Sequence, residues 1–388
     1  MMRDFSNKLK GLFVSNGFVQ SWRKEIEMRK CYVLSLILAL TIVVLSGCGK
    51  TSTENQTRPP EFEVSKIDVN LDLGQDEQEI LSYSDGKEMV FLVQKKERDD
   101  DLVTGVSAER FIIYDIADGS VADEYVMDKD VYGKMAIPYK DGLLYSCYEV
   151  DRGSKYRYHW QIIYQSGSEK TVIDQGKEGS GFQASLLAQG DVLYYTFKDR
   201  TDGYQCGIRK WEDGKTATIA EYNDMYKTDL LRVDGGICYT RMWNDDSIGF
   251  SAAEEGKILW VQKADSNGAA VTSGMTDNYI LYYENGLEEK GLRAIDIKTG
   301  KVIKGDIELK EPRITSIGNY FLIEDDNKNQ YYCKVDDGQI VVKKLELPEE
   351  QEYQIPLDYG IPAGKDGVIF RGGDYWNEER EYFLLKLL

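Results

Sequence analysis

The chain has 388 residues, of which 42% are hydrophobic, and its 48 basic and 67 acidic side chains give a formal net charge of −19. The apolar fraction excludes a disordered chain, and the negative charge argues against binding to nucleic acid or spreading on anionic lipid headgroups. His159 is the single histidine. Ser-His-Asp, Cys-His and histidine–metal chemistries therefore have at most one candidate residue.

The first predicted element is a bacterial signal peptide. Arg29 and Lys30 precede an apolar run at 31–45, which at about 15 residues is shorter than the roughly 20 that span a bilayer. The run ends in a motif that resembles the lipobox of bacterial lipoproteins: Leu45, Ser46, Gly47 and Cys48. We therefore predict that residues 1–47 are removed and that acyl chains on Cys48 anchor the protein at the extracytoplasmic face of the membrane. An uncleaved membrane-anchoring helix is the alternative.

The polar segment at 1–27 is longer than the N-terminal region that precedes the apolar run of a signal peptide, so we expect translation to start at Met28. On the other side of the cysteine, residues 48–61 are polar and are predicted to form a flexible tether.

The tether contains a partial match to a phosphate-binding P-loop, which would indicate an ATPase or GTPase. Residues 49–51, GKT, fit the end of that motif, but Val44 occupies the position of its first glycine. Pro59 and Pro60 follow where a P-loop would lead into a helix. A P-loop is therefore excluded.

Beyond the tether, short apolar runs alternate with two kinds of turn. The first kind precedes a strongly apolar run, and its turns centre on Gly86, Gly142, Gly190, Gly235, Asn278, Gly318 and Gly367. The second kind follows another run and centres on Gly119, Gly167, Gly214, Gly256, Gly300 and Gly338. The first kind recurs at an average period of about 47 residues, which with four strands per unit is typical of a β-propeller blade. We predict an all-β, seven-bladed β-propeller over 62–388, with six or eight blades as alternatives.

The numbers of the two turns predict how the ring closes. If strands a to d run outward from the axis, the first turn joins a to b and the second joins c to d. There are seven turns of the first kind and six of the second, so the last blade lacks its outer strand. An open ring would leave strand edges unpaired. The N-terminal run EVSKIDVNLDLG, in which Ile67, Val69, Leu71 and Leu73 alternate with polar residues, is predicted to supply that strand.

Two blade repeats resemble those of a known group of propellers. LRAIDIKTGKVI and EEGKILWVQ resemble repeats of PQQ-like (quinoprotein-type) propellers, and the whole is similar to TolB-like periplasmic propellers. The resemblance covers nearly all of the chain after the tether and implies the fold. It implies no ligand and no cofactor, since no quinone-site residues can be carried over.

The predicted binding face is formed by the b–c loops, which are longer and more varied than the turns. Exposed aromatic rings beside polar groups suit sugars, peptides and protein surfaces. The candidate residues in and beside these loops are Tyr156, Tyr158, His159, Trp160, Tyr204, Trp243, Asp245, Asp374, Tyr375 and Trp376. The alternative for each ring is that it covers a blade edge. We interpret His159 as a packed or hydrogen-bonded residue of the rim rather than a general base.

The sequence favours a binding or scaffolding module for an envelope or extracellular protein, peptide or glycan, with no cofactor implied. One alternative is an enzyme acting on glycan or peptide, with carboxylates such as Asp245 and Asp374 as acid and base. Another is a structural spacer in a surface complex. A weak calcium candidate has D-x-N-x-N spacing but lacks the turn glycine and the terminal glutamate of such loops: Asp325, Asn327 and Asn329. We expect the cysteines after the tether to be small buried residues: Cys147, Cys206, Cys238 and Cys333.

Overall fold

The computed structural model describes residues 60–99, 102–128, 131–151, 153, 158–178, 184–199, 205–222, 225, 227–243, 247–265, 272–286, 290–305, 307–345, 360–372 and 381–388. Regular structure in these ranges consists of β-strands. They include no helix that could cross a membrane.

The strands group into consecutive sets of four after an N-terminal strand. The N-terminal strand is β1 (Phe62–Ile67). Blade 1 consists of β2 (Glu77–Ser84), β3 (Glu88–Asp99), β4 (Leu102–Asp115) and β5 (Ser120–Val126). Blade 2 consists of β6 (Val131–Tyr139), β7 (Gly142–Val150), β8 (Tyr158–Ser166) and β9 (Glu169–Glu178). Blade 3 consists of β10 (Leu186–Gln189), β11 (Val192–Asp199), β12 (Gln205–Glu212) and β13 (Lys215–Glu221).

The remaining blades follow the same plan. Blade 4 consists of β14 (Lys227–Asp234), β15 (Ile237–Trp243), β16 (Ser247–Glu254) and β17 (Lys257–Asp265). Blade 5 consists of β18 (Ser273–Met275), β19 (Tyr279–Asn285), β20 (Lys290–Asp296) and β21 (Val302–Lys304). Blade 6 consists of β22 (Arg313–Ile317), β23 (Tyr320–Glu324), β24 (Gln330–Asp336) and β25 (Gln339–Lys344). Blade 7 contains β26 (Ile361–Pro362), β27 (Gly367–Gly372) and β28 (Glu381–Leu387), and β1 completes it.

The described strands form seven four-stranded antiparallel sheets, so the protein is a seven-bladed β-propeller, as predicted. In blade 7 the strand order is β26-β27-β28-β1, and β1 pairs with β28 from Phe62, opposite Leu387, to Ile67, opposite Tyr382. β26 of blade 7 contacts β2 of blade 1, which completes the ring. The predicted closure by an N-terminal strand is therefore confirmed.

The position of the closing strand differs from the one predicted from alternation. The strand ends at Ile67, whereas the alternating run continues to Leu73. Val69, Leu71 and Leu73 are partly buried and pack against the core between blades 7 and 1 without pairing in the sheet. Alternation of apolar and polar residues indicates that one side of an extended segment is buried. Residues 68–73 are buried on one side in this way, but they do not pair in the sheet.

Glycines with positive φ form the c–d turns, as predicted. All six predicted c–d glycines have φ between 54° and 82°. Four of the seven predicted a–b turn residues also have positive φ: Gly86, Gly190, Gly235 and Gly318. The prediction was wrong at Gly142, Asn278 and Gly367, and in blade 2 the positive φ, 53°, belongs to Lys140. Gly142 is the first residue of β7, and a Cβ atom there would lie 2.1 Å from the carbonyl oxygen of Gln165 on β8. Close approach of the two backbones, rather than a left-handed turn, therefore requires this glycine.

The b–c connection of blade 1, residues 95–110, is largely strand, although the sequence predicted that the b–c connections are loops. β3 and β4 pair to Asp99 opposite Leu102, with register shifts after Val93 and Glu97. The resulting hairpin contains the two longest strands that the structure describes.

The core lies in the seams between neighbouring blades. Strand b is covered on both faces, as its continuous apolar sequence predicts. In β11, Tyr195 belongs to the cluster between blades 2 and 3, and its neighbour Tyr194 belongs to the one between blades 3 and 4. The four cysteines of the described residues are buried free thiols, which confirms their interpretation. Burial raises the pKa of the Cys147 thiol to about 12.

Candidate functional site

The two ends of the blades differ in their connections. The a–b and c–d turns lie at one end, which we call the turn face, and the b–c and d–a connections lie at the other, which we call the loop face. Several predicted residues fall outside the described residues: Leu45, Ser46, Gly47, Cys48, Tyr156, Tyr204, Asp245, Asp374, Tyr375 and Trp376. The described candidates on the loop face are Tyr158, His159, Trp160 and Trp243.

Three tyrosines and a lysine form a compact group at the loop-face end of blade 2. The rings of Tyr132 and Tyr148 are stacked, with centroids 5.3 Å apart and an interplanar angle of 16°. Tyr158 meets Tyr148 edge-on at 5.2 Å, and the ammonium of Lys134 lies 5.3 Å from the centroid of the Tyr148 ring. All four side chains are partly exposed. We call this group, Tyr132, Lys134, Tyr148 and Tyr158, the tyrosine cluster.

Strand register and a β-bulge assemble the tyrosine cluster. Tyr148 pairs with Tyr132 on β6, and Val150, two residues further along β7, pairs with Tyr158 on β8. Alternation then places the three rings on the side of the blade that faces blade 3. The register of β6 against β7 shifts between Gly133 and Met135, so Lys134 is the extra residue of a bulge. Bulges re-aim a side chain, and this one brings the lysine over the ring of Tyr148.

Lys134 has no acidic partner among the described residues that could offset its burial. Desolvation lowers the pKa of its ammonium group from the ordinary value. Its one described electrostatic contact is with the Tyr148 ring. The tyrosine cluster therefore has a cation that no carboxylate of the described chain neutralises, although the protein as a whole is acidic.

Trp160 lies below the tyrosine cluster and not on its surface, so its assignment to the binding face was wrong. Its side chain is 1% exposed, and its indole Nε1 donates a hydrogen bond to the carbonyl oxygen of Lys198 in blade 3 at 2.5 Å. Gly176 on β9 leaves room for the ring, because a Cβ atom there would lie 2.5 Å from Cζ2 of Trp160. Trp160 therefore fixes the seam between blades 2 and 3.

A buried ion pair lies in the same seam. The Lys198 ammonium is 3.6 Å from the Glu178 carboxylate, whose side chain is wholly buried. Glu178 pairs in register with Tyr158, so the ion pair adjoins the tyrosine cluster. A buried pair of this kind fixes the geometry of a seam more than it stabilises the fold.

A second group of ring and cations lies at the loop-face end of blade 4. Arg241 and Lys227 lie 4.4 Å and 4.8 Å from the ring centroid of Trp243. Arg241 is held by Asp229 at 3.1 Å and donates a hydrogen bond to the Ser273 hydroxyl of blade 5 at 3.1 Å. The predicted candidate Trp243 is partly exposed, and its two cations, unlike Lys134, both form an ion pair with a described carboxylate, that of Asp229.

His159 lies on the side of blade 2 that faces away from the tyrosine cluster. Strand alternation separates it from Tyr158 and Trp160, and it pairs in register with Glu149 on β7 and Lys177 on β9. Its Nε2 atom is buried and has no hydrogen-bond partner in the described part of the chain. It does not combine with the tyrosine cluster into one site.

Four acidic side chains near the loop-face ends of the described strands are held by cations, whereas Glu149 at that end of β7 is exposed to solvent. Each of the following carboxylates forms an ion pair: Glu77 with Arg110, Asp229 with Arg241, Glu284 with Arg293, and Glu324 with Lys328. The hydrogen bonds from Arg110 lower the pKa of Glu77 below its ordinary value. A general acid needs the opposite shift, because it must keep its proton near neutral pH.

The weak calcium candidate is a hydrogen-bonded hairpin tip. The backbone N–H and side-chain amide of Asn329 donate to the two carboxylate oxygens of Asp325 at 2.8 and 2.9 Å. Asn327 is exposed to solvent. In the described part of the chain, no group of three or more His, Cys, Asp and Glu residues is placed to hold a metal ion.

The comparisons with known proteins concern the fold alone. The chain matches no protein-family model and no curated protein sequence. Among solved structures it is similar to a chain of the Mitotic Checkpoint Complex, with 13% identity, a TM-score of 0.47, and coverage of 89% of this chain and 98% of that one. It is also similar to BamB from Moraxella catarrhalis, with 10% identity, a TM-score of 0.45, and coverage of 79% of this chain and 84% of that one. A third similar structure is the β-propeller domain of the Trilobed protease from Pyrococcus furiosus, with 11% identity, a TM-score of 0.39, and coverage of 63% of this chain and 77% of that one. The sequence resemblance to PQQ-like and TolB-like repeats stays a prediction.

Proposed function

We propose that this protein is a lipid-anchored, extracytoplasmic binding or scaffolding module whose ligand binds the loop face at the tyrosine cluster. The observation that carries the proposal is the tyrosine cluster itself. Its three partly exposed rings and a cation that pairs with no acid of the described residues lie together on one blade. Large, rigid aromatic side chains contribute much of the affinity at binding surfaces.

Ion pairing of four loop-face acids, Glu77, Asp229, Glu284 and Glu324, supports binding rather than acid–base catalysis at those positions. A glycan-cleaving site needs one carboxyl group that is protonated and another that is free to act as nucleophile or base. Two loop-face acids have pKa values lowered by a neighbouring cation: Glu77 by Arg110, and Asp326 by Lys310. The paired carboxylates suit a role in holding neighbouring strands in place.

The direction of β1 supports an orientation of the anchored protein. Phe62 pairs with Leu387 at the turn-face end of blade 7, and the Leu388 N–H donates to the carbonyl oxygen of Glu61 at 3.0 Å. The chain from Cys48 therefore joins the propeller at the turn face. It reaches Glu61 in 13 residues (61 − 48), which span at most about 45 Å. A protein anchored in this way has its turn face nearer to the membrane and its tyrosine cluster on the side away from the membrane.

The experiment compares two tyrosines of the same strand. Tyr158 and Tyr164 lie at the loop-face and turn-face ends of β8, and both are partly exposed. We expect Tyr158→Ala to reduce the binding of purified protein to an envelope preparation by about tenfold, since a central aromatic contributes more than about 1 kcal/mol. Tyr164→Ala is expected to bind like the parent. Equal binding by parent and both variants would contradict the proposed site.

The anchor is tested separately in cells. We expect the parent to partition with the membrane fraction and to incorporate a labelled fatty acid, and Cys48→Ser to do neither. A Cys48→Ser protein that stays in the membrane fraction would favour the uncleaved anchoring helix.

A further inference from the structure

The bulge at Lys134 differs in position from the other bulges of innermost strands. In β2 and β14 the register shifts at Ser82 and Leu231, close to the turn-face ends of those strands. In β6 it shifts at Lys134, the fourth residue from the loop-face end. Bulges are common where a side chain must be re-aimed, and this one lies beside the contact of Lys134 with the Tyr148 ring.

Among the described residues, no carboxylate pairs with the ammonium of Lys134. Its described contact is with the Tyr148 ring. Burial lowers the pKa of the lysine, and a bound anion would reverse that effect. Ser146, two residues deeper on the same side of β7, is 3% exposed, and its hydroxyl has no hydrogen-bond partner in the described part of the chain. A buried water would satisfy it.

We propose that the tyrosine cluster binds an acidic sugar residue, with its pyranose ring against the tyrosines and its carboxylate on Lys134. The inference rests on the proposed function and names the ligand class of that site. A pyranose offers an apolar C–H face that matches an aromatic ring, and its carboxylate stands at the edge of the same ring, where a neighbouring cation can reach it. A quaternary ammonium ligand is disfavoured, because Lys134 occupies the position over Tyr148 that such a cation would take.

The test uses two probes that differ only in charge. A short oligogalacturonate carries free carboxylates, and its methyl ester has the same rings without the charge. In calorimetric titrations we expect the ester to bind the parent protein about tenfold more weakly than the acid, which is the effect of one charge-assisted hydrogen bond. Because this comparison uses the parent protein, it does not depend on the folding of any variant.

A matched pair of lysine variants tests the residue. Lys140 lies on the turn face just after β6, 5.2 Å from the centroid of the Tyr139 ring, so it repeats the lysine–tyrosine contact at the other end of the blade. We expect Lys134→Met to bind the acid about tenfold more weakly and to lose the preference over the ester, with an unchanged melting temperature. Lys140→Met is expected to behave like the parent.

The possible results separate the ligand class from the binding site. Failure of the parent to bind the oligogalacturonate, or equal binding of acid and ester, would overturn the acidic sugar. An oligoglutamate peptide that binds as tightly as the acid would replace it with an acidic peptide. Loss of envelope binding in Tyr158→Ala together with either result would leave the proposed function in place. Envelope binding that survives Tyr158→Ala would remove the proposed site itself.

Discussion

Closure of the ring by β1 can be tested through its two buried side chains. Phe62 is 9% exposed in the core between blades 6 and 7, and Ile67 is 7% exposed in the core between blades 7 and 1. Truncation to alanine is expected to cost about 3 kcal/mol for Phe62 and about 2–3 kcal/mol for Ile67. The two residues lie five positions apart, about 16 Å along a strand, so their effects should add to about 5–6 kcal/mol. That sum is a large part of the roughly 5–15 kcal/mol that stabilises most domains.

Urea unfolding followed by far-UV circular dichroism measures these effects. We expect each single variant to unfold cooperatively at lower urea, and the double variant Phe62→Ala/Ile67→Ala to be largely unfolded in buffer or close to it. Ser65→Ala is the control, because Ser65 lies in the same strand with an exposed side chain and should change stability by less than about 0.5 kcal/mol. A double variant within about 1 kcal/mol of the parent would refute the idea that β1 is required for closure.

Three further predictions concern ion pairs and thiols. Because Arg110 lowers the pKa of Glu77, this carboxylate stabilises the fold above its ordinary pKa of 4.5 and loses that effect as pH falls through its lower folded value. Glu77→Gln should therefore be less stable than the parent at neutral pH in urea titrations, and the difference should vanish in acid. Lys198→Met should cost about 3 kcal/mol by leaving the Glu178 carboxylate buried without this partner, and adding Glu178→Gln should restore part of it. In the chain from residue 49, an aromatic disulfide reagent at neutral pH should react with no thiol of the native protein and with four after unfolding, because burial raises their pKa values: Cys147, Cys206, Cys238 and Cys333.

The fold was predictable because its signals are local and repeated. Each turn glycine marks a short hairpin, and a period that recurs along the chain limits the architecture to blades around a ring. The count of turns even showed which strand was missing. The exact closing strand was harder to place, because Val69, Leu71 and Leu73 alternate as a strand does while they only cover the seam beside it. Composition does not distinguish a buried extended segment from one that pairs.

The site was less predictable because a single bulge decides it. Continued without a shift, the pairing of Tyr139 with Gly142 would place Gly133 opposite Tyr148 and Tyr132 on the other side of the blade. The bulge at Lys134 places Tyr132 opposite Tyr148. The local sign of it is Gly133, since a glycine inside a strand often marks a bulge, but that sign does not show which side chains the bulge brings together. Trp160 shows the converse problem. It lies next to Tyr158 in an aromatic run, but its depth in the seam depends on Gly176 and on the neighbouring blade.

The two ends of blade 2 carry the same residue types with different partners. On the turn face, Tyr164 donates its hydroxyl to Asp141, and the pKa of that carboxyl is lowered by the contact. Lys140 there lies 3.4 Å from the carboxylate of Asp191. Acids of the a–b turns of blades 2 and 3 thus pair with Lys140 and accept the hydrogen bond from Tyr164. At the loop face, Lys134 lies 5.3 Å from the centroid of the Tyr148 ring and forms an ion pair with no carboxylate of the described residues. Both ends are built on the same strands, so the difference lies in the side chains that the connections provide. At the loop face, an anion from outside the described chain would give Lys134 the acidic partner that Lys140 has at the turn face.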